Sequence, residues 1–198
     1  TALISIISGF PHNEKGILGI NNNTVIYSID VTDEELVSID ALIRGIDLAI
    51  QERVDIINIS VGINEDSDKL YDVIKKAVDN NIIVIASAGN YINDGNILYP
   101  AKYTKVIAVG SYGKDGEIIT PLPYNNNVYY LPGENIVTCL GDNEYAGCYG
   151  TSFSTAIMTG LISNVISNYD IKDNEVIYRA LININKESKK IDQNEIYK

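Results

Sequence analysis

The sequence predicts an α/β protein with a doubly wound, mainly parallel sheet that is flanked by helices. Three runs at positions 55–60, 82–87 and 105–110 are nearly continuous in apolar, β-branched side chains. They lack the alternation of a half-exposed strand, so they are typical of strands that are covered on both faces. Helical patterns separate the runs, and this order of strands and helices is that of a parallel sheet with crossover connections.

The remaining elements are predicted in order along the chain. An apolar segment at residues 1–9 has a helical pattern, and Thr24–Ile29 is a fourth strand candidate. Thr32 and Glu35 form a capping-box pattern, which predicts the start of a helix. The apolar face of that helix carries Leu36, Ile39, Ile43, Ile46 and Ile50. A second amphipathic helix has its apolar positions between 70 and 78 and is expected to end near Asn80.

The pattern changes in the last part of the chain. Residues 113–150 are rich in turns and in short tyrosine-containing strands, and two helices are predicted at 151–168 and 174–183. No linker divides the 198 residues, so a single domain over 1–198 is expected.

Composition excludes several classes of function. The formal net charge of −11 argues against a nucleic-acid partner, because binding of phosphates requires a basic surface. No apolar stretch reaches the length of about 20 residues that a membrane span needs. With one histidine and two cysteines, the chain lacks a zinc-site pattern, and no metal site is predicted from its residues. Cys139 and Cys148 flank a turn-rich segment, and both a bridge and two free thiols are compatible with that spacing.

The segment Gly150–Gly160 carries the strongest chemical signal. Ser152 follows a Gly-Thr turn and stands at the head of an apolar segment with a helical pattern. A serine there lies beside the positive end of a helix, which is a suitable setting for a nucleophile. A serine that only caps a helix would show the same local pattern.

A second candidate follows the strand at 82–87. Asn90 comes after Ala88 and Gly89, where functional groups gather at the carboxyl ends of parallel strands. Its side-chain amide can donate a hydrogen bond to the oxyanion of an acyl-transfer intermediate. The alternative is that Asn90 stabilises a turn.

Five segments in this order resemble the subtilisin-like serine proteases (subtilases). They are DIINISVG from Asp55, VIASAGN from Val84, YPAKYTKVIAVGSY from Tyr99, LPG from Leu131 and GTSFSTAIMTG from Gly150. The resemblance covers roughly residues 1–165, and it implies a subtilisin-like three-layer fold.

The resemblance also implies roles for individual residues. Ser152 matches the nucleophile, and Asn90 matches the amide that stabilises the oxyanion together with the backbone N–H of Ser152. One segment matches the strand that pairs with an extended substrate, and another lines the pocket for the side chain before the cleaved bond. These substrate-binding positions are Ser60, Val61 and Gly62 for the strand, and Ala88 and Gly89 for the pocket.

A serine nucleophile needs a base and an orienting carboxylate, which this family supplies in the order Asp, His, Ser. The first residues of the chain resemble the family's helix just after its catalytic His-Gly, so both groups are expected upstream of Thr1. His12 lies in a loop pattern, and Asp30 follows it in the chain. The order His12, Asp30, Ser152 belongs to an all-β fold, so this triad is rejected.

The sequence therefore predicts the C-terminal three-quarters of a serine endopeptidase domain, inactive as 198 isolated residues. Its expected partners are a peptide or protein substrate and its own N-terminal segment, which would complete the fold. Two alternatives remain open, a catalytically inactive subtilase that binds peptides and a folding fragment without an independent role.

Cofactor and location follow from the resemblance alone. No cofactor is certain, but Asn13 matches a calcium-ligand position of the family, so calcium is an expectation for the full-length protein. A secreted or cell-envelope location is expected from the family, which also has intracellular members.

Overall fold

The computed structural model describes residues 1–10, 16–33, 36–90, 96–119, 128–142, 144–171 and 173–187. In chain order they form α1 (Ala2–Ser8), β1 (Thr32–Asp33), β2 (Leu36–Val37), α2 (Ile39–Gln51), β3 (Ile56–Ile59), α3 (Asp68–Asp79), β4 (Ile83–Ser87), β5 (Ile107–Tyr112), β6 (Val128–Pro132), β7 (Ile136–Gly141), β8 (Glu144–Cys148), α4 (Thr151–Tyr169) and α5 (Asn174–Glu187).

The main sheet is parallel and has the order β3-β4-β5-β6. Ile57 of β3 pairs with Val84 of β4, and Ala86 pairs with Ala108 of β5. The three apolar runs are therefore strands, as the sequence predicts. The tyrosine-containing segment adds β6 at the far edge, where Tyr129 pairs with Val109.

The sheet separates two apolar cores, which gives the molecule three layers. Alternate side chains of β4 enter different cores, with Val84 on the side of α2 and α3, and Ile85 on the side of α1, α4 and α5. Both side chains are fully buried. This arrangement confirms an α/β fold with helices on both faces of a parallel sheet, and it explains why the strands are apolar without alternation.

Helix α4 runs through the second core and carries Ser152 near its first residue. Side chains in its first turn anchor it to the end of β6. Ser154 Oγ donates to the carbonyl oxygen of Pro132 at 2.8 Å and lies 2.9 Å from Ser111 Oγ. The backbone N–H of Gly150 donates to the carbonyl oxygen of Gly133 at 2.8 Å. The start of α4 is therefore fixed relative to the sheet.

The prediction of a strand at Thr24–Ile29 is wrong. These residues belong to no β-ladder among the parts of the chain that the structure describes. Val25 and Tyr27 are exposed, whereas Ile29 packs against the core on the side of α2. Alternating apolar residues fit an extended chain, but a strand also requires a partner for its backbone, which the local pattern does not report.

The predicted capping box is also wrong. Helix α2 begins at Ile39, and its cap is Ser38, whose hydroxyl accepts a hydrogen bond from the N–H of Ala41 at 3.0 Å. Thr32 instead donates its hydroxyl proton to Asp30 Oδ1 at 2.7 Å. Thr32 and Ser38 can both cap a helix. The helix begins after Ser38, and with this start the apolar face of α2 packs against the core.

The two cysteines do not face each other. Strands β7 and β8 form an antiparallel hairpin in which Cys139 pairs with Tyr145 and Cys148 pairs with Ile136. The two positions are thus three residues apart along the ladder, about 10 Å at the rise of a strand, and they lie on opposite faces. A disulfide needs Cα atoms within about 7 Å, so both thiols are free.

The described helices include none that is both long and apolar enough to cross a membrane.

Candidate active site

The start of α4 meets the ends of β3 and β4 at one edge of the sheet. Ser60 follows β3, Asn90 follows β4 after a two-residue turn, and Ser152 lies in the first turn of α4. Asn90 and Ser60 each make hydrogen bonds to the Thr151–Ser152 segment. The structure thus brings together residues that lie up to 92 positions apart in the sequence.

The amide of Asn90 is oriented by Thr151. Asn90 Oδ1 accepts a hydrogen bond from the backbone N–H of Thr151 at 2.7 Å and another from its Oγ1 at 2.8 Å. Because a backbone N–H can only donate, the accepting atom of Asn90 is its oxygen. The Nδ2 group therefore lies on the other side, and it has no hydrogen-bond partner among the described residues.

Gly150 makes this arrangement possible. Its φ of +121° lies in a region that side-chain-bearing residues rarely adopt. A β-carbon at this position would lie 3.0 Å from both Nδ2 and Oδ1 of Asn90. Glycine is therefore required both by the turn before α4 and by the close approach of the Asn90 amide.

Ser152 is half-buried, and its hydroxyl donates a hydrogen bond to the carbonyl oxygen of Ser60 at 3.1 Å. An amide carbonyl accepts a hydrogen bond but does not take up a proton near neutral pH. The backbone N–H of Ser152 is one of the first N–H groups of α4 and has no acceptor within the described ranges. The helix start thus offers a hydroxyl and a free backbone donor side by side.

A network of hydrogen bonds between β3 and α4 holds the backbone at Ser152 in place. Ser60 Oγ donates to the carbonyl oxygen of Ser152 at 3.3 Å, and Asn58 Nδ2 donates to Ser60 Oγ at 3.0 Å. Thr159 Oγ1, two turns along α4, donates to Asn58 Oδ1 at 2.9 Å. These hydrogen bonds connect the end of β3 to α4 at two points, at Ser152 in its first turn and at Thr159 two turns further along.

The two predicted substrate-binding segments follow the ends of β3 and β4, and both strand ends are bonded to the start of α4 through Ser60 and Asn90. The backbone groups of Val61 and Gly62 have no hydrogen-bond partner among the residues described, so they are free to pair with an added strand. Ala88 is fully buried, and its backbone is bonded on both sides, to Val109 and to Leu98. Gly89 has a φ of +115°, which turns the chain outward before Asn90.

The structure supplies no base for Ser152 within the described ranges. The single histidine of the sequence, His12, lies outside them. Asp30 is exposed, and its Oδ1 accepts hydrogen bonds from the Thr32 hydroxyl and the Thr32 N–H, which hold the pKa of the carboxyl below its ordinary value. Asp30 therefore stabilises its own turn, in agreement with the rejection of the His12–Asp30 triad.

Asn13, on which the calcium expectation depends, is likewise outside the described residues. Within the described ranges, no three His, Cys, Asp or Glu side chains come together in a way that could hold a metal ion. Calcium therefore stays a prediction for the full-length protein.

Sequence reasoning missed four residues around the site. Thr151 and Thr159 lie in a segment whose pattern predicts an apolar helix, although both make side-chain bonds across to other elements. Asn58 offered a signal, because it is a polar residue inside an otherwise apolar strand. The sequence around Leu98 contains no such signal, because its contacts are with Gly62 and Gly89, which lie in two other segments of the chain.

Comparison with known proteins agrees with this geometry. The chain is 33% identical over 151 residues to the minor extracellular protease Epr of Bacillus subtilis (strain 168), covering 75% of the chain and 23% of that protein. It is 34% identical over 158 residues to the intracellular serine protease of Paenibacillus polymyxa, covering 76% of the chain and 48% of that protein. The chain thus spans between about a quarter and a half of the length of these two relatives.

Among solved structures, the PatG macrocyclase in complex with peptide superposes with a TM-score of 0.80 at 26% identity, covering 90% of this chain and 57% of that one. A sequence profile described as "Peptidase_S8: Subtilase family" matches residues 1–197. With the parallel sheet, the turn at Gly150 and the placement of Ser152 beside Asn90, this match shows that the chain belongs to the subtilase family.

Proposed function

We propose that the protein is a serine endopeptidase that hydrolyses peptide bonds through an acyl-enzyme on Ser152. The observation that carries the proposal is that the Ser152 hydroxyl stands at the start of α4 near two hydrogen-bond donors that have no partner among the described residues. These donors are the backbone N–H of Ser152 and the Nδ2 group of Asn90, whose orientation is set by Thr151. A serine that only capped a helix would need neither the Asn90 amide nor its fixed orientation.

The proposed reaction is that of a serine nucleophile with a histidine base and an orienting aspartate. A histidine takes the proton of Ser152 Oγ as the oxygen attacks the scissile carbonyl, and an aspartate holds that histidine in the correct tautomer. The negative oxygen of the tetrahedral intermediate is stabilised by Asn90 Nδ2 and the Ser152 N–H. The histidine then protonates the leaving amine, and water releases the acyl group by the same steps in reverse order.

The histidine and the aspartate are proposed to come from a segment N-terminal to Thr1. The support is chemical, because the Ser152 hydroxyl here donates to a carbonyl oxygen, which cannot serve as a base. The relatives are also longer than this chain, and the family order places Asp and His before Ser.

The sheet has room for such a segment. Within the described ranges, β3 pairs only with β4, so its other edge is unpaired. Ile29 and Val31 pack against the same core as Ile57 and Ile59 of β3. A strand from the N-terminal segment would pair with β3 and so complete both the sheet and the catalytic residues.

The substrate is proposed to bind as an extended peptide along Ser60–Gly62. The backbone of Val61 and Gly62 offers donors and acceptors for this pairing, next to the hydroxyl of Ser152. The similar PatG structure contains a peptide, which supports a peptide ligand. A secreted or cell-envelope location is part of the proposal, although the relatives include both an extracellular and an intracellular protease.

A fluorophosphonate probe tests the proposal directly, because it labels only an activated serine. We expect the intact protein to be labelled on Ser152, with Ser152→Ala unlabelled and Ser8→Ala, on α1, labelled normally. The 198 residues alone are expected to show neither labelling nor peptide hydrolysis. Sequencing of the coding region upstream of Thr1 should reveal an aspartate followed by a His-Gly pair. Absence of labelling in the intact protein would contradict the enzymatic proposal.

The second candidate function is that of an inactive subtilase that binds peptides. The observation in its favour is that the Ser152 hydroxyl is held by Ser60 in a bond that involves no base. This function predicts that an extended peptide binds the intact protein, is not turned over, and protects Ser60–Gly62 backbone amides from hydrogen exchange. Peptide turnover that depends on Ser152 would exclude it.

A further inference from the structure

Leu98 occupies the space between the two predicted substrate-binding segments. A β-carbon placed on Gly62 would lie 2.7 Å from both Cβ and Cδ1 of Leu98, and one placed on Gly89 would lie 3.1 Å from its Cγ and Cδ1. The leucine side chain is therefore packed directly against the α-carbons of both glycines. The gap between the ends of β3 and β4 is already filled by one branched side chain.

The backbone around Leu98 is fixed to both walls of this gap. The N–H of Leu98 donates to the carbonyl oxygen of Ala88 at 3.1 Å. Tyr99 and Ile63 exchange two backbone hydrogen bonds, each of 2.9 Å. These three bonds fix the backbone at Leu98 and Tyr99, so the Leu98 side chain extends into the gap from a fixed position.

The gap opens next to the proposed nucleophile. One wall begins at Ser60, whose carbonyl oxygen accepts the hydrogen bond from Ser152. The other wall ends at Asn90, which is bonded to Thr151. A peptide that pairs with Ser60–Gly62 and presents a carbonyl to Ser152 would direct the side chain before the cleaved bond into the gap, and it would meet Leu98 there.

We propose that Leu98 is a specificity-determining residue that restricts the position before the cleaved bond to small side chains, namely glycine, alanine and serine. The proposal deepens the proposed function and rests on it. An aromatic side chain would have to displace Leu98, and a gap that is already filled resists extra atoms. Discrimination in such apolar pockets is on the order of 10–200-fold per methylene, so a phenylalanine at this position should be strongly disfavoured.

The test compares peptides that differ only in the residue before the cleaved bond. For the intact protein we expect kcat/KM to be at least about tenfold higher with alanine than with phenylalanine. Leu98→Ala should raise kcat/KM for the phenylalanine peptide by about tenfold or more relative to kcat/KM for the alanine peptide, so the ratio between the two peptides should fall. Leu48→Ala, an exposed leucine on α2, is the matched control and should leave both values unchanged. An unchanged ratio in Leu98→Ala, or equal cleavage of both peptides by the natural protein, would overturn the proposal.

A binding measurement tests the proposal without peptide turnover, and a second variant of Leu98 covers the case in which Leu98→Ala does not fold. In a Ser152→Ala background, we expect a peptide that ends in alanine to bind more tightly than one that ends in phenylalanine. If Leu98→Ala does not fold, Leu98→Val serves instead, because it removes one carbon and retains a branched side chain. This variant should reduce the difference in affinity between the two peptides. Labelling of Ser152 by the fluorophosphonate together with a preference for phenylalanine would overturn the Leu98 proposal alone. Absence of both labelling and peptide binding would overturn the proposed function as well.

Discussion

Asn90 Oδ1 accepts two hydrogen bonds from Thr151, one from its N–H at 2.7 Å and one from its hydroxyl at 2.8 Å. This pair of bonds determines which way the Asn90 amide faces. The oxygen is held at the start of α4, so the Nδ2 group is available to a ligand at Ser152. A single residue of the turn thus orients a side-chain donor close to the proposed nucleophile.

The variant Asn90→Asp tests the role of the Nδ2 donor separately from that of the Oδ1 acceptor. The aspartate retains an oxygen that can accept from Thr151, but it replaces the Nδ2 donor with a second acceptor. We expect kcat to fall by about 10²–10³-fold, the usual effect of losing one oxyanion donor, with KM changed little. Steady-state kinetics of the intact protein measure both values, and Asn168→Ala, near the other end of α4, is the control. A fall of less than threefold would remove Asn90 from the proposed mechanism.

Gly150→Ala should disrupt the site through two separate effects. The residue would be strained at a φ of +121°, and its new β-carbon would press on the Asn90 amide at 3.0 Å. Gly141→Ala is the matched control, because Gly141 has a φ of +117° and no atom within 4 Å of a built β-carbon. Both variants should lose about 1–2 kcal/mol of unfolding free energy to backbone strain. Only Gly150→Ala should also lose fluorophosphonate labelling, and equal labelling of the two would contradict the role of this contact.

Thr159→Val removes the hydroxyl that holds Asn58 and keeps the shape of the side chain. Asn58 Oδ1 would lose its bond from Thr159, which is 2.9 Å long, in a partly buried position. We expect the free energy of unfolding to fall by about 1–2 kcal/mol, as measured by urea denaturation. Thr159→Ser retains the hydroxyl and should recover most of that loss. If the serine variant is no more stable than the valine variant, the Thr159 hydroxyl, which lies 2.9 Å from both Asn58 Oδ1 and the carbonyl oxygen of Thr155, contributes nothing to stability.

The buried hydroxyl of Tyr129 should make the free energy of unfolding depend on pH in alkaline solution. Burial in the second core raises the pKa of its hydroxyl to about 12, because the charged form is poorly solvated there. A folded pKa above the unfolded value of about 10 means that this contribution to stability is complete below pH 10 and is lost as the pH rises towards 12. Tyr129→Phe should therefore weaken the fall in unfolding free energy between pH 10 and 12. Tyr145→Phe, on exposed β8, controls for the loss of a hydroxyl, and identical pH profiles of the two variants would refute the prediction.

Much of the fold could be predicted because its signals are local. Continuous apolar runs predict the strands β3, β4 and β5, since a strand that is covered on both faces needs no polar side chains. Helix α3 and its end near Asn80 follow from its apolar spacing and from the asparagines there. The segment Thr24–Ile29 shows the limit of this reasoning, because an extended pattern cannot report whether a partner strand exists.

The candidate site divides in the same way. The amino-acid pattern alone predicts that Ser152 stands at a Gly-Thr turn before an apolar helix and that Asn90 follows a buried strand, because both features depend on neighbouring residues. The folded arrangement was needed to show that Thr151 orients Asn90, that Thr159 reaches Asn58, and that Leu98 fills the gap beside Gly62. These contacts join segments that are distant in the chain, and they exist only because the sheet and α4 hold those segments within contact distance.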